Sequence, residues 1–162
     1  MRTKKMLLVA ALTALAVAAG ACTIDVERNS DGSLQISSLM TADSLAAEFE
    51  RDPRNDRVTV EIQDGFMLVD AAGTERDGDE FIAGFRVDLG LSGDVLTVDI
   101  SDAVYNGWTI PADVVQRWED AIAAELTKAA RDNPNATLVS VIADAGQIAM
   151  EWRIDTRESR GL

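Results

Sequence analysis

Residues 81–100, FIAGFRVDLGLSGDVLTVDI, contain two runs of alternating apolar residues separated by a turn. The turn is Ser92-Gly93-Asp94, and the alternation resumes directly after it. The alternating apolar residues are Phe81, Ala83, Phe85, Val87, Leu89, Leu91, Leu96, Val98 and Ile100. A period of two places these side chains on one face of a strand, and a glycine turn joins antiparallel neighbours. The stretch therefore predicts a long β-hairpin with one buried face.

The same pattern recurs at three other places along the chain. Asp64-Gly65 divides two alternating runs within residues 58–68, and Asp144-Ala145-Gly146 divides two more within residues 138–154. A weaker pair of runs lies within residues 24–36. Asp-Gly supplies the positive φ angles that tight hairpin turns require. The sequence thus predicts four hairpins.

Two segments show helical spacing instead. Thr41 is suited to cap a short helix that ends near Arg51, and Pro111 stands where a longer helix begins. In the longer segment the apolar positions recur at steps of three and four residues, up to Arg131. These positions are Val115, Trp118, Ile122, Leu126 and Ala129. One face of this helix is expected to be buried and the other to face water.

The order of these elements is hairpin, short helix, hairpin, then hairpin, long helix, hairpin, a loose duplication. It predicts an α+β fold in which both helices pack on one face of a shared antiparallel sheet. We expect a single domain at residues 34–155, preceded by a tether or first strand at 22–33 and followed by a polar C-terminal tail at 156–162. Residues 70–80 contain two glycines and five acidic residues and are predicted to be a solvated loop.

The N-terminal segment has the pattern of an export signal. Three cations within the first five residues precede sixteen uncharged residues, 6–21, and Cys22 follows. Sixteen helical residues span about 24 Å, less than the roughly 30 Å of bilayer hydrocarbon, which disfavours a permanent transmembrane helix. We expect residues 1–21 to be a signal peptide that is removed after export.

Ala19-Gly20-Ala21-Cys22 resembles the lipobox of bacterial lipoproteins, although that family most often carries leucine where Ala19 stands. The resemblance implies that the Cys22 thiol receives diacylglycerol and becomes the new N-terminus. The domain would then be anchored at the extracytoplasmic face of a bacterial membrane, since several acyl chains hold a protein stably. The alternative is ordinary cleavage after the small residues, which would release a soluble protein with Cys22 as a free thiol.

The charge of the chain limits its partners. The net charge is −13, and losing the three cations of residues 1–21 makes it −16. Such a surface repels phosphates, which argues against nucleic acid and against basic-patch binding to anionic lipids. The acidity is also typical of an exported domain that must stay soluble.

The residue inventory disfavours catalysis. The chain has no histidine and a single cysteine, which excludes Ser-His-Asp triads, histidine zinc sites and a second thiol nucleophile. Glu75, Asp77 and Asp79 alternate as calcium ligands do, but Glu80 stands where the EF-hand loop requires glycine. We expect no enzyme activity, no cofactor and no metal.

Three short stretches carry a second resemblance: VTVEIQDG at 58–65, GWTIP at 107–111 and LVSVIADAG at 138–146. With the order of elements, they resemble small bacterial lipid-binding domains of the TULIP-like type, over about residues 34–154. The resemblance implies a strongly bent sheet that wraps a long helix and leaves an apolar groove for acyl chains. The residues that would line the groove are Phe85, Leu89, Trp118, Ile122 and Trp152.

Two functions follow as hypotheses. The first is a membrane-anchored lipoprotein that binds or carries a lipid or another apolar ligand. The second is a non-catalytic structural or protein-interaction module of the cell envelope, because the same apolar stripe is typical of ordinary core. Tyr105 and Trp108, just before Pro111, are suited either to contact a membrane or partner or to fix the start of the helix.

Overall fold

The computed structural model describes residues 23–156. The predicted signal peptide, Cys22 and residues 157–162 of the predicted tail lie outside this range. Nine strands and two helices occur within it, in the order β1 (Thr23–Arg28), β2 (Leu34–Thr41), α1 (Ala42–Phe49), β3 (Asn55–Gln63), β4 (Phe66–Thr74), β5 (Glu80–Ser92), β6 (Val95–Tyr105), β7 (Trp108–Thr109), α2 (Ala112–Asp132), β8 (Ala136–Asp144) and β9 (Gln147–Ile154).

The strands form two antiparallel sheets, which confirms the α+β class. One sheet has the order β1-β2-β9-β8, and the other has the order β3-β4-β5-β6-β7. The sequence predicted one shared sheet; the structure instead places the first and last hairpins in one sheet and the middle strands in another. The reason is that α1 follows β2 and α2 follows β7, so each helix carries the chain from one sheet to the other.

Two hairpin turns join the sheets. The Gly65 N–H donates to the Ala143 carbonyl at 2.9 Å, and the Gly146 N–H donates to the Ile62 carbonyl at 3.1 Å. The Gly146 carbonyl in turn accepts from the Ala42 N–H at the start of α1, at 3.0 Å. The β3–β4 turn, the β8–β9 turn and α1 therefore meet at one corner of the molecule.

One contiguous apolar core lies between the sheets and the helices. Helix α1 contributes Leu45 and Phe49, and α2 contributes Trp118, Ile122 and Leu126. Outside α2, the largest side chains that are almost fully buried are Phe81, Met40, Leu45, Met67, Ile148 and Val87. A shared core that draws on both sheets makes residues 40–152 one folding unit, and β1 joins it by pairing with β2.

Both helix starts agree with the predicted caps. Thr41 precedes α1, its hydroxyl accepts from the Ser44 N–H at 3.2 Å, and the Ser44 hydroxyl accepts from the Thr41 N–H at 3.0 Å. This reciprocal pair satisfies two N–H groups that the first turn leaves open. Pro111 occupies the cap position of α2.

One boundary differs from the prediction. Residues 70–74 belong to β4 and Glu80 begins β5, so the loop predicted at 70–80 is reduced to residues 75–79. Backbone pairing explains the longer strand, because the Thr74 N–H donates to the Arg54 carbonyl at 2.9 Å. At the N-terminus, residues 23–28 form β1, which agrees with the first of the strands predicted as an alternative to a tether at residues 22–33.

Two carboxylates, one on α2 and one at the end of α1, accept hydrogen bonds from backbone N–H groups at the edges of the five-stranded sheet. On β6, the Ile100 N–H donates to Oε1 of Glu119 on α2 at 2.6 Å. On β3, the Val58 N–H donates to Oε1 of Glu50, at the end of α1, at 3.1 Å. Both donor residues are buried, and an unpaired N–H there would carry a desolvation cost. The two helices thus satisfy strand donors that would otherwise be open to another chain.

Replacing Glu119 by alanine is expected to lower the free energy of unfolding by about 2 kcal/mol, because the Ile100 N–H stays buried without an acceptor. Urea denaturation followed by circular dichroism measures the change. Glu125→Ala is the matched control, since Glu125 lies on the exposed face of the same helix. Equal urea midpoints for the two variants would contradict the role given to Glu119.

Candidate functional site

The five residues predicted to line a groove meet in the single core. Phe85, Trp118 and Ile122 are 7%, 5% and 1% exposed, whereas Leu89 and Trp152 are partly buried at its margin. The structure thus brings all five together and packs three of them among other apolar side chains. This arrangement is what a helix packed on a sheet requires.

Trp118 has one unusual property within this core. Its indole nitrogen is buried and has no hydrogen-bond partner among residues 23–156. Buried tryptophan N–H groups usually find an acceptor, and leaving one unpaired carries a desolvation cost. The core therefore contains one donor that is not satisfied by the folded chain.

The most exposed large apolar side chain among residues 23–156 lies on the β6–β7 hairpin. Trp108 is 79% exposed and pairs with Tyr105 across the turn formed by Asn106 and Gly107. Both turn residues have positive φ, 50° and 78°, as a tight hairpin turn of this kind requires.

Two more exposed apolar residues lie beside this hairpin. Val104 pairs with Gly84 on β5 and with Thr109 on β7, and Ile82 is two residues before Gly84. Ile82 is 68% exposed and Val104 is 38% exposed. We call Ile82, Val104 and Trp108 the Trp108 corner. Because side chains alternate along a strand, the Trp108 side chain projects from one face of the sheet, and the side chains of Ile82 and Val104 project from the opposite face.

The backbone around the Trp108 corner is held firmly. The Asn106 N–H donates to the Ile82 carbonyl at 2.7 Å, and the Asn106 side-chain oxygen accepts from the Ile82 N–H at 2.7 Å. Beside the turn, the rings of Phe81 and Tyr105 stack with centroids 5.8 Å apart. A frame that is already ordered reduces the entropy lost when a surface binds a partner.

An acidic segment flanks this frame. The Tyr105 hydroxyl donates to Oε1 of Glu75 at 2.7 Å. Burial is the main cause that raises the pKa of Tyr105, and the carboxylates of Glu75, Asp77 and Asp79 raise it further. Tyr105 is therefore a neutral hydroxyl donor at neutral pH, and the corner combines exposed apolar groups with nearby negative charge.

The ion pair between Arg54 and Asp52 has a structural role. The Arg54 Nε donates to Asp52 Oδ1 at 2.9 Å, and this bond holds the pKa of Asp52 below its usual range and raises the pKa of Arg54. The pair orders the turn before β3 that presents the Arg54 carbonyl to Thr74.

Within residues 23–156, no group of three or more histidine, cysteine, aspartate or glutamate side chains is arranged to hold a metal ion. The acidic residues that alternate like calcium ligands serve their own turn: the Gly78 N–H donates to the Glu75 carbonyl, and the Asp79 N–H donates to Asp77 Oδ1. No helix in the same range is long and apolar enough to cross a membrane.

The Asn106-Gly107 hairpin was missed by the sequence analysis, although Asn-Gly is the strongest short-range hairpin signal. Recognising it would have predicted β7 and placed Trp108 on a rigid strand instead of in a loop.

Comparison of this chain with protein-family models, curated proteins and solved structures finds no match. The resemblances to lipoproteins and to TULIP-like domains therefore stay predictions.

Proposed function

We propose that this chain is a non-catalytic interaction module of a bacterial cell envelope, anchored to the extracytoplasmic membrane face through Cys22, and that its Trp108 corner contacts a protein partner. The observation that supports the contact is a tryptophan exposed at 79% on an ordered two-residue turn. Tryptophan is enriched among the residues that dominate interface energies. The anchor is supported by the sequence alone.

The chemistry of the corner indicates the kind of partner. Ile82, Val104 and Trp108 offer apolar contact, and the segment with Glu75, Asp77 and Asp79 lies nearby. A partner that receives Trp108 would present an apolar pocket rimmed by lysine or arginine. The net charge of −16 after signal removal disfavours nucleic acid in the same role.

Site-specific photo-crosslinking tests the contact. With benzoylphenylalanine at position 108 in the producing cell, we expect one defined protein adduct that mass spectrometry identifies. The control position is Val139, which is 55% exposed on β8. The proposal fails if position 108 yields no adduct, or if position 139 yields the same one.

The anchor has a separate test. The mature protein should carry the mass of a diacylated Cys22 and partition into detergent, and Cys22→Ser should move it to the aqueous phase. An unmodified Cys22 in the mature protein would contradict the anchor without affecting the contact at Trp108.

The lipid carrier is the second candidate function, and the unpaired Trp118 N–H favours it, because a lipid carbonyl could accept that hydrogen bond. Native mass spectrometry of the mature protein should then show bound lipid. Ile122→Trp should remove the lipid while circular dichroism shows a folded domain. A protein without bound lipid would contradict the carrier function, and the interaction module would then be the remaining candidate.

A further inference from the structure

The four-stranded sheet carries one apolar row that runs across all its strands. In this row, Val26 on β1 pairs with Ile36 on β2, which pairs with Trp152 on β9, which pairs with Leu138 on β8. Residues directly opposite each other in antiparallel strands point to the same face. Leu138 belongs to the core, so all four side chains leave the sheet on the core side.

Exposure rises steadily along this row. Leu138 is 2% exposed, Trp152 and Ile36 are partly buried, and Val26 is 54% exposed. In the neighbouring row Met150 is 5% exposed, Ser38 on β2 is partly buried, and Ile24, at the β1 end, is 51% exposed. The second sheet and the helices thus cover the β8 and β9 side of this face and leave its β1 side open.

The alternation of β1 confirms that this open area is a continuation of the core face. Asp25 and Glu27 alternate with Ile24 and Val26 and leave the opposite face, where their cross-strand partners are Ser37 and Gln35. All six residues of β1 are exposed. Strand β1 is therefore amphipathic, yet within residues 23–156 nothing covers its apolar side. We call Ile24, Val26, Ile36 and Trp152 the β1 strip.

We propose that the β1 strip rests on the surface of the lipid bilayer to which Cys22 is anchored. This inference rests on the proposed anchor at Cys22. Thr23, the first residue of β1, directly follows Cys22 in sequence, and one extended residue spans only about 3.4 Å. Acyl chains on Cys22 would hold the edge strand against the membrane, with Ile24 and Val26 as its nearest large apolar side chains.

The depth of this contact is limited by the backbone. Within residues 23–156 no strand pairs with the outer edge of β1, where the Val26 N–H donates to Asp25 Oδ1 at 3.0 Å. The hydrocarbon interior would leave the other backbone groups of this edge unsatisfied. Contact with the interface between headgroups and acyl chains avoids that cost and still removes the β1 strip from water. The acidic net charge makes a zwitterionic bilayer the suitable surface.

Fluorescence quenching tests the proposal on the mature acylated protein in phosphatidylcholine vesicles. Val26→Cys provides a labelling site for an environment-sensitive fluorophore, since acylation blocks the thiol of Cys22. Ile142→Cys is the matched control: Ile142 is 59% exposed and pairs with Ala149, so it lies on the opposite face of the same sheet. Phospholipids brominated near the headgroup are the quencher.

We expect about a twofold loss of emission from the label at position 26, together with a blue shift, and no change from the label at position 142. If acylated protein shows neither label quenched, the docking is wrong although the anchor holds. A blue shift at position 26 that persists in detergent with a dimeric mass would assign the β1 strip to a second copy and overturn the proposal. A missing diacyl mass would refute the anchor, and the docking with it.

Discussion

Trp118→Ala is expected to lower the free energy of unfolding by about 3 to 5 kcal/mol. The indole is 5% exposed and packs in the core that joins α2 to the sheets, so the substitution removes apolar burial and leaves a cavity. The loss of the unpaired N–H offsets only part of this cost. Urea denaturation followed by circular dichroism measures the change.

The matched control is Trp108→Ala, the same substitution at a residue that is 79% exposed. We expect its effect on stability to lie within about 0.5 kcal/mol, because no large side chain leaves the core. Similar unfolding midpoints for the two variants would contradict the burial assigned to Trp118.

Gly73→Ala is expected to destabilise the fold by about 3 kcal/mol. A Cβ at this position would lie 1.8 Å from the Arg54 carbonyl oxygen and 2.9 Å from a ring carbon of Phe81. The carbonyl cannot withdraw freely, because it accepts the Thr74 N–H at 2.9 Å. The added methyl group must therefore separate β4 from the turn before β3. Thermal unfolding by calorimetry measures the effect.

Gly93→Ala separates crowding from backbone strain. Gly93 has φ of +66° in the β5–β6 turn, and a Cβ there would meet no atom within 4 Å. Its substitution should cost only about 1 kcal/mol, the usual difference between alanine and glycine at positive φ. If both variants melted at the same temperature, the close approach at Gly73 would not be the cause of its effect.

The structure agrees with most of the sequence predictions that depend on residues close together in the chain. The alternation at residues 81–100 predicted the β5–β6 hairpin, and Thr41 and Pro111 predicted where the helices begin. Strand period, turn glycines and helix caps all act over a few residues, so they can be read without knowing the fold. Gly73 shows the limit of such rules. In the sequence this glycine contributes to the prediction of a loop, whereas in the structure it allows the Arg54 carbonyl to approach β4 closely.

The candidate site could be predicted only in part for the same reason. The sequence predicts that Trp108 either contacts a membrane or partner or fixes the start of a helix. Its exposure, however, depends on the turn at Asn106 and on the hydrogen bonds of that turn to Ile82. Phe85, Trp118 and Ile122 lie in one core cluster, but nothing near them in sequence distinguishes a lined groove from a packed core.

Local sequence was sufficient for the α+β class, four of the hairpins and the helix starts. Only the tertiary structure decided that the strands divide into two sheets and that Glu50 and Glu119 accept hydrogen bonds at the edges of one of them. It also decided that, among residues 23–156, nothing covers the apolar face of β1. The physical reason is that periodicity determines which side chains share a face. What covers that face depends on pairing between segments far apart in the chain, as when β9 joins β2.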